Sequence, residues 1–495
     1  MENVNYSELV VFILYLIAMV GIGVYFFLRH KNAGEKHYFL GNRQMGPWVA
    51  ALSAGASDMS AWVLMGLPTS IYAAGLGKLW IAVGLAIGYA LSWIFEAPRL
   101  RVFSIVSDDS ITIPQYLSNR FKTKSHALQI LCAVVFLLAY TVYAASSVKA
   151  CGNLFHKVLG INTETAMYIS ALVIVSYTFL GGFSAVCWTD FFQGLLVLGA
   201  VFLVPIFANF IPHVADAQLP ANYWSCTSDW KDIVSGLSWG LGYFGMPHII
   251  IRFMSLKSQS DLKMSAKIGI TWTVLILLFA VLIGLIGRLC LGIGDPSIKA
   301  NEIVFVQMVR AIFPAVISGV LLSAILAAAM STADSQLLAA SSAFSSDVYK
   351  PVVRKNKASD KEILWAGRLI VLLVAIVALF LAKSPNSGSI MNLVENAWGL
   401  FGAAFGPVVI LSLFWRRFNY AGALAGIIGG AVVDIVCLYK LSGWLGGTYL
   451  YEIVPGFAAG FVFAVLATLL TKKPGAEVDA IFDKATAKDA LPAAE

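Results

Sequence analysis

Charge is scarce in this sequence. Only 12% of its 495 residues are Asp, Glu, Lys or Arg, 59% are hydrophobic, and the mean hydropathy is +0.80. A soluble globular domain carries about 25% charged residues, so this composition excludes one and indicates a chain that crosses a membrane many times. Cysteine is also sparse and unpaired. Cys132, Cys151, Cys187, Cys226, Cys290 and Cys437 form no CxxC pair, and five of them lie in or at the ends of apolar stretches. That pattern gives buried thiols and excludes a disulfide or zinc framework. No G-x-x-x-x-G-K-[ST] loop is present to drive a pump with ATP, and no clustered His, Cys or paired carboxylates suggest an enzyme.

Long apolar runs are what the chain has. They predict thirteen spanning segments, at 6–28, 45–72, 77–97, 126–150, 162–180, 190–212, 232–254, 268–291, 312–345, 363–382, 392–414, 418–440 and 451–471. Several exceed the 20 or so residues a bilayer needs, which predicts tilt or a break. The first run is preceded by Glu2 and Glu8 and is too long for the core of a signal peptide, so it reads as a first spanning helix. The net charge of +7 might point to nucleic acid, but the positions of the charges decide otherwise. With the N-terminus outside, 25 of the 34 Lys and Arg residues fall in inner loops, and every inner loop shares in the excess. The positive-inside rule expects this, so the basic balance reports orientation, excludes nucleic acid and leaves the tail 472–495 in the cytoplasm. The outer loops His213–Lys231 and Gly292–Ala311 are the longest on their side, and the tail is too short to fold alone.

Segment two is interrupted at its midpoint. Ser53-Ala54-Gly55-Ala56-Ser57-Asp58-Met59-Ser60-Ala61-Trp62 places small residues, hydroxyls and one carboxylate at membrane depth. A charge there is unfavourable unless paired or hydrated, so Asp58 marks a functional site by default. Segment seven is interrupted as well, by three glycines and a proline in Trp239-Gly240-Leu241-Gly242-Tyr243-Phe244-Gly245-Met246-Pro247-His248. Interrupted helices in corresponding positions of two halves point to a transporter binding site. An offset of five segments sets the halves in opposite orientations, as an inverted repeat requires. In segment nine, Ala328, Ser331 and Thr332 recur at i, i+3, i+4 and share one helix face. Hydroxyls there, opposite carbonyls freed in segment two, would make an all-oxygen cage suited to a hard monovalent cation. Sodium fits it; proton coupling stays open on the sequence alone.

These runs, with Arg252-Phe253-Met254, Ala324–Thr332 and Phe401-Gly402-Ala403-Ala404-Phe405-Gly406-Pro407, resemble the sodium:solute symporter family over nearly the whole chain, and within it the proline branch. The resemblance implies an all-α, LeuT-like fold with a 5+5 inverted repeat. Segments two to six (45–212) form one half and segments seven to eleven (232–414) the other. The first helix and its loop (1–44) precede them, and two helices (418–471) with a cytoplasmic tail (472–495) follow. It implies Na⁺ bound by the Ala56, Met59 and Ala328 carbonyls and the Ser331 and Thr332 hydroxyls. It implies coupling roles for Ser57, Asp58, Ser60 and Asp190, and a solute cavity lined by Tyr143, Trp239, Tyr243 and Pro247. The implied activity is Na⁺-coupled import of L-proline across the cytoplasmic membrane, with no enzymatic step and with a monomer as the working unit. Ala61 stands where that branch usually has Gly, and Met246 where it often has Gln. Met246 removes an amide near the cavity.

Plainer readings sit beside these. Ser331 and Thr332 could bond back along their own helix, as helix hydroxyls commonly do. Asp190, near the cytoplasmic end of segment six, could be a solvated or capping carboxylate. Glu96, Glu395 and Asp434 read as interfacial or structural, and His248 as a core histidine. Two other functions also fit the pattern: a Na⁺-coupled symporter of another amino acid, pantothenate or a monocarboxylate, and a solute-sensing membrane module. About 24 cytoplasmic residues after the last helix leave little room for the second.

Overall fold

A computed structural model describes residues 5–29, 34–208, 219–227, 229–292, 296–441 and 450–487. The outer loop expected at His213–Lys231 lies partly outside them, as do the last residues of segment six and of the tail. Among the described residues no strand forms, and an isolated bridge between Met45 and Leu256 is the one β contact. Ten helices among the described residues are long and apolar enough to cross a membrane, against the thirteen segments the sequence predicts.

The two interruptions fall where the sequence places them. Segment two runs as Pro47–Asp58, leaves helical geometry at Met59 (φ −79°, ψ 72°), passes through a 3₁₀ turn at Ala61–Val63 and resumes as Gly66–Ala74. Segment seven runs as Trp230–Ser238, tightens to 3₁₀ at Trp239–Phe244 and resumes as Pro247–Ser255. Pro247 starts the second half, where its missing N–H has no helical partner to lose.

Segments five and six are covered by one helical stretch, Thr163–Phe207, kinked at Gly182, whose φ of +65° suits glycine. Segment nine, Ala315–Phe344, is buried almost throughout from Ser318 to Ala343. Its Ala- and Ser-rich sequence allows this, because small side chains let neighbouring backbones approach closely in a membrane bundle. Glycine does the same where segment three meets segment seven. A Cβ on Gly88 would lie 2.2 Å from the Gly240 carbonyl oxygen, and one on Gly240 would lie 2.4 Å from that of Gly84. The tightened turn of segment seven is thus seated backbone against backbone.

Two short helices, Pro296–Ala300 and Val304–Ile312, occupy what the sequence left as a loop. The tail is not structureless either. Its helix Ala476–Thr486 lays Val478, Ile481 and Phe482 against the helix Ala97–Val106 that follows segment three, with Phe482 5.5 Å from Phe103. Arg120 ties it down by donating to the Val478 carbonyl.

Candidate functional site

The break in segment two and the middle of segment nine face each other. Ser331 Oγ lies 2.8 Å from the Ala56 carbonyl oxygen and 3.1 Å from that of Ala328, and Thr332 Oγ1 lies 3.4 Å from Ala56 O. Ala56 is three residues before a helix end, so its carbonyl is among those a helix leaves without an intrahelical donor. Four of the five expected cation ligands therefore converge from two segments. Met59, the fifth, is buried at the helix end, where its non-helical ψ turns its carbonyl out of the helix. Back-bonding to Ala328 is present at Ser331, but it does not exhaust the hydroxyl, which reaches across to Ala56 as well. The donor set is all oxygen with no formal charge of its own, and it suits a hard monovalent cation.

Asp58 ends the first half of segment two, fully buried, and Tyr243 of segment seven donates to its Oδ2 at 2.5 Å. Its other oxygen, Oδ1, is buried without a hydrogen-bond partner among the described residues. The Asp58 backbone carbonyl receives Tyr143 Oη and Trp62 Nε1, each at 3.4 Å. Asp58, Tyr143 and Tyr243 are therefore assembled from segments two, four and seven at one level. Trp239 stacks nearby, 6.0 Å from Trp62 and 6.3 Å from Trp398 between ring centroids. Pro247 begins the second half of segment seven four residues beyond Tyr243. Ser60 adjoins this cluster through a side-chain hydrogen bond with Tyr143, and its backbone N–H donates to the Asp58 carbonyl at 2.9 Å. Ser57 bonds back to the Ala54 carbonyl, and Ser60 caps the 3₁₀ turn by accepting from Trp62 N.

Asp190 is placed differently from the solvated or capping reading. It is fully buried, two turns past the kink at Gly182, and pairs with Arg252 of segment seven at 3.1 Å. Ser53 Oγ donates to the same carboxylate oxygen at 2.7 Å, and Ser335 Oγ lies 3.5 Å away. Arg252 is saturated in turn, donating to Ser53, to Ser335 and to the His248 carbonyl. The network joins segments two, six, seven and nine beside the Ala56–Ser331 contact. A buried ion pair of this kind is strongly destabilised when one partner is removed, and it holds the orientation of the elements it joins.

Sequence reasoning missed Ser53, Ser335 and Trp398. Trp398 Nε1 donates to the Trp239 carbonyl at 2.8 Å, and its ring meets Tyr243 at 5.0 Å. The available signal was indirect: a fully buried carboxylate needs a cation, and Arg252 directly follows the second break. His248 is buried as expected, with Tyr140 Oη 3.1 Å from its backbone nitrogen.

Known proteins share this arrangement of segments. The sodium:solute symporter family profile matches residues 38–430. The sodium/proline symporter of Salmonella typhimurium is 42% identical over 492 residues, covering 97% of this chain and 96% of that protein. The high-affinity proline transporter PutP of Bacillus subtilis is 43% identical over 473 residues, covering 93% and 97%. A Na⁺-coupled sialic acid symporter solved in a substrate-bound outward-open state superposes with a TM-score of 0.78 over 95% of this chain and 99% of its own, at 22% identity, which speaks for a shared LeuT-like fold. On sequence and architecture together, this chain belongs to the sodium:solute symporter family.

Proposed function

We propose that this chain imports L-proline with Na⁺ by alternating access, as a multi-pass protein of the cytoplasmic membrane that works as a monomer. In this reading its N-terminus is outside and its C-terminus inside, and segments two to six and seven to eleven are the inverted halves. The observation that carries the reading is the Ala56 carbonyl, freed by the break in segment two and shared by Ser331 and Thr332 of segment nine. Sodium at that point replaces a hydroxyl–carbonyl bond with ion–oxygen contacts to both segments. It thereby stabilises the arrangement in which segment two is held against segment nine. An ion shifts a conformational equilibrium only by binding one state better than the other, and ligands from two moving elements supply that difference.

The solute cavity adjoins the same break, so the ion orders the walls the solute needs. Tyr143, Trp239 and Tyr243 offer aromatic faces to a pyrrolidine ring, and Asp58 offers a carboxylate to an ammonium group. Pro247 opens a half-helix whose N-terminus suits the solute carboxylate. A cavity of about 630 Å³ lined in part by Thr69, Lys78, Glu302 and Asn392 lies at the ends of segments two and eleven that this orientation sets outside.

One Na⁺ entering at about 100 mV releases roughly 2.3 kcal/mol, and a tenfold gradient adds roughly 1.4 kcal/mol. The sum sustains several-hundred-fold accumulation of a neutral zwitterion, so one ion per solute is enough. The solute leaves chemically unchanged. Radiolabelled proline uptake into proteoliposomes under an inward Na⁺ gradient, against an equal K⁺ gradient, tests the proposal. Accumulation with Na⁺ alone supports it, and uptake indifferent to Na⁺ but driven by protons overturns the sodium part. Met246, fully buried beside Pro247, is the one observation favouring another solute, since a thioether stands where an amide could read a polar group. Competition by other amino acids, pantothenate and monocarboxylates decides that point.

A further inference from the structure

Segment one (Tyr6–Arg29) packs on segments six and nine. Near its start, Glu8 pairs with Arg310 at 2.6 Å, and Gly319 lets segment nine approach so closely that a Cβ there would lie 3.0 Å from Glu8 Cα. At its middle, Tyr15 Oη accepts from Gln193 Nε2 of segment six at 2.9 Å. Beyond Tyr15 segment one keeps Met19 in the core but leaves the side bearing Ala18 and Gly21 uncovered beside segment six. A groove of about 540 Å³ opens between them, floored by Ala18 and Gly21 and walled by Tyr25, Trp188 and Phe192. Arg29 stands at its far end. A Cβ on Gly21 would meet nothing within 4 Å, so the floor is open space and not a close helix contact.

The walls are apolar and exposed: Tyr25 is 55% exposed, Phe192 46% and Trp188 37%. The mouth carries a cation. Arg29 donates to Tyr25 Oη at 2.9 Å, and no carboxylate pairs with it among the described residues. In the orientation proposed above, on which this inference rests, the Arg29 end faces the cytoplasmic leaflet. That leaflet is the one rich in anionic headgroups, and aromatic rings and arginines gather at its interface.

We infer that this groove is a binding site for one anionic glycerophospholipid, an acyl chain lying over Gly21 between Trp188 and Phe192 and the headgroup phosphate on Arg29. The shape and the charge require different parts of one ligand. An acyl chain fills an apolar slot that no side chain fills, and a phosphate supplies the counter-charge the guanidinium lacks. A zwitterionic phospholipid satisfies the slot equally well but brings its own cation to Arg29. Asp190, buried on the side of segment six away from Trp188 and Phe192, sets the lipid one helix away from the Asp190–Arg252 pair.

Native mass spectrometry of the full chain in detergent tests the site, with dioleoylphosphatidylglycerol and dioleoylphosphatidylcholine titrated in parallel. One charge near the surface is worth about 1 kcal/mol, so the first phosphatidylglycerol should bind the wild type about fivefold tighter than phosphatidylcholine. Arg29→Gln should bring that ratio to about one while keeping the chain bound, and Gly21→Leu should weaken both lipids by filling the floor. Neither residue belongs to the transport site, and cooperative thermal unfolding verifies that each variant is folded. Equal retention of the two lipids by the wild type, or a ratio unmoved by Arg29→Gln, overturns the inference. So does a wild-type dimer that Gly21→Leu dissolves, because the groove would then hold a second copy. The readout is lipid mass, so it stands or falls apart from whether proline is the solute.

Discussion

Tyr243 donates its phenolic hydroxyl to Asp58 Oδ2 at 2.5 Å, and this bond joins the two interrupted helices to each other. Each end lies where a helix has been broken by its own sequence, Asp58 at the last helical residue of one and Tyr243 inside the 3₁₀ turn of the other. The buried carboxylate of one broken helix is thus held by an aromatic side chain of the other.

Removing that hydroxyl leaves the wall in place and the carboxylate short of a donor. A hydrogen bond to a charged group contributes about 1.5–3 kcal/mol, so Tyr243→Phe should raise the proline concentration for half-maximal uptake roughly thirtyfold. The maximal rate should change less, and the melting temperature in detergent should stay close to that of the wild type. Initial uptake rates across a proline series provide the check. An unchanged half-saturation would remove Tyr243 from solute binding.

The Asp190–Arg252 pair makes a different prediction, about stability. Asp190→Asn and Arg252→Met alone should each lower stability by about 3–5 kcal/mol, because each leaves a charge buried without its partner. The double variant should be far less damaged than the two singles combined. Thermal unfolding of all four proteins tests this, and strict additivity would mean that the two charges do not act on each other.

Gly88 and Gly240 test the seat of segment seven. The Cβ of Gly240→Ala would meet the Gly84 carbonyl at 2.4 Å, and backbone cannot swing aside as a side chain can. Overpacking of this kind is destabilising by about 1–3 kcal/mol, and here it also shifts the turn that carries Trp239 and Tyr243. Gly240→Ala should therefore lower both melting temperature and proline affinity, whereas Gly21→Ala, at an open site, should lower neither. Equal behaviour of the two variants would contradict the close packing.

The parts of this protein that were legible in its sequence are those written in local residue chemistry. Gly55 with Asp58 marks the break in segment two, and three glycines with Pro247 mark that in segment seven, so both breaks fall on the expected residues. The i, i+3, i+4 face of Ala328, Ser331 and Thr332 is fixed by helix geometry alone. Relations across the chain were not legible. Asp190 meets Arg252 from 62 residues away, and nothing near Asp190 distinguishes a buried pair from an exposed cap. Trp398 donates to a carbonyl 159 residues distant. The tail helix Ala476–Thr486 was missed because its apolar face is short and finds its value only against Phe103 and Arg120. The helices Pro296–Ala300 and Val304–Ile312 were missed for their length, too brief to show a period.

The measurement that bears most directly on the central claim is the Na⁺ dependence of proline uptake in wild type, Ser331→Ala and Thr332→Ala, reconstituted at matched protein levels. If Na⁺ sits between the Ala56 carbonyl and these hydroxyls, each variant should need roughly ten- to a hundredfold more Na⁺ for half-maximal uptake, as loss of an oxygen contact to a charge implies. Wild-type Na⁺ half-saturation in both variants, with uptake intact, would contradict the account and move the ion away from segment nine.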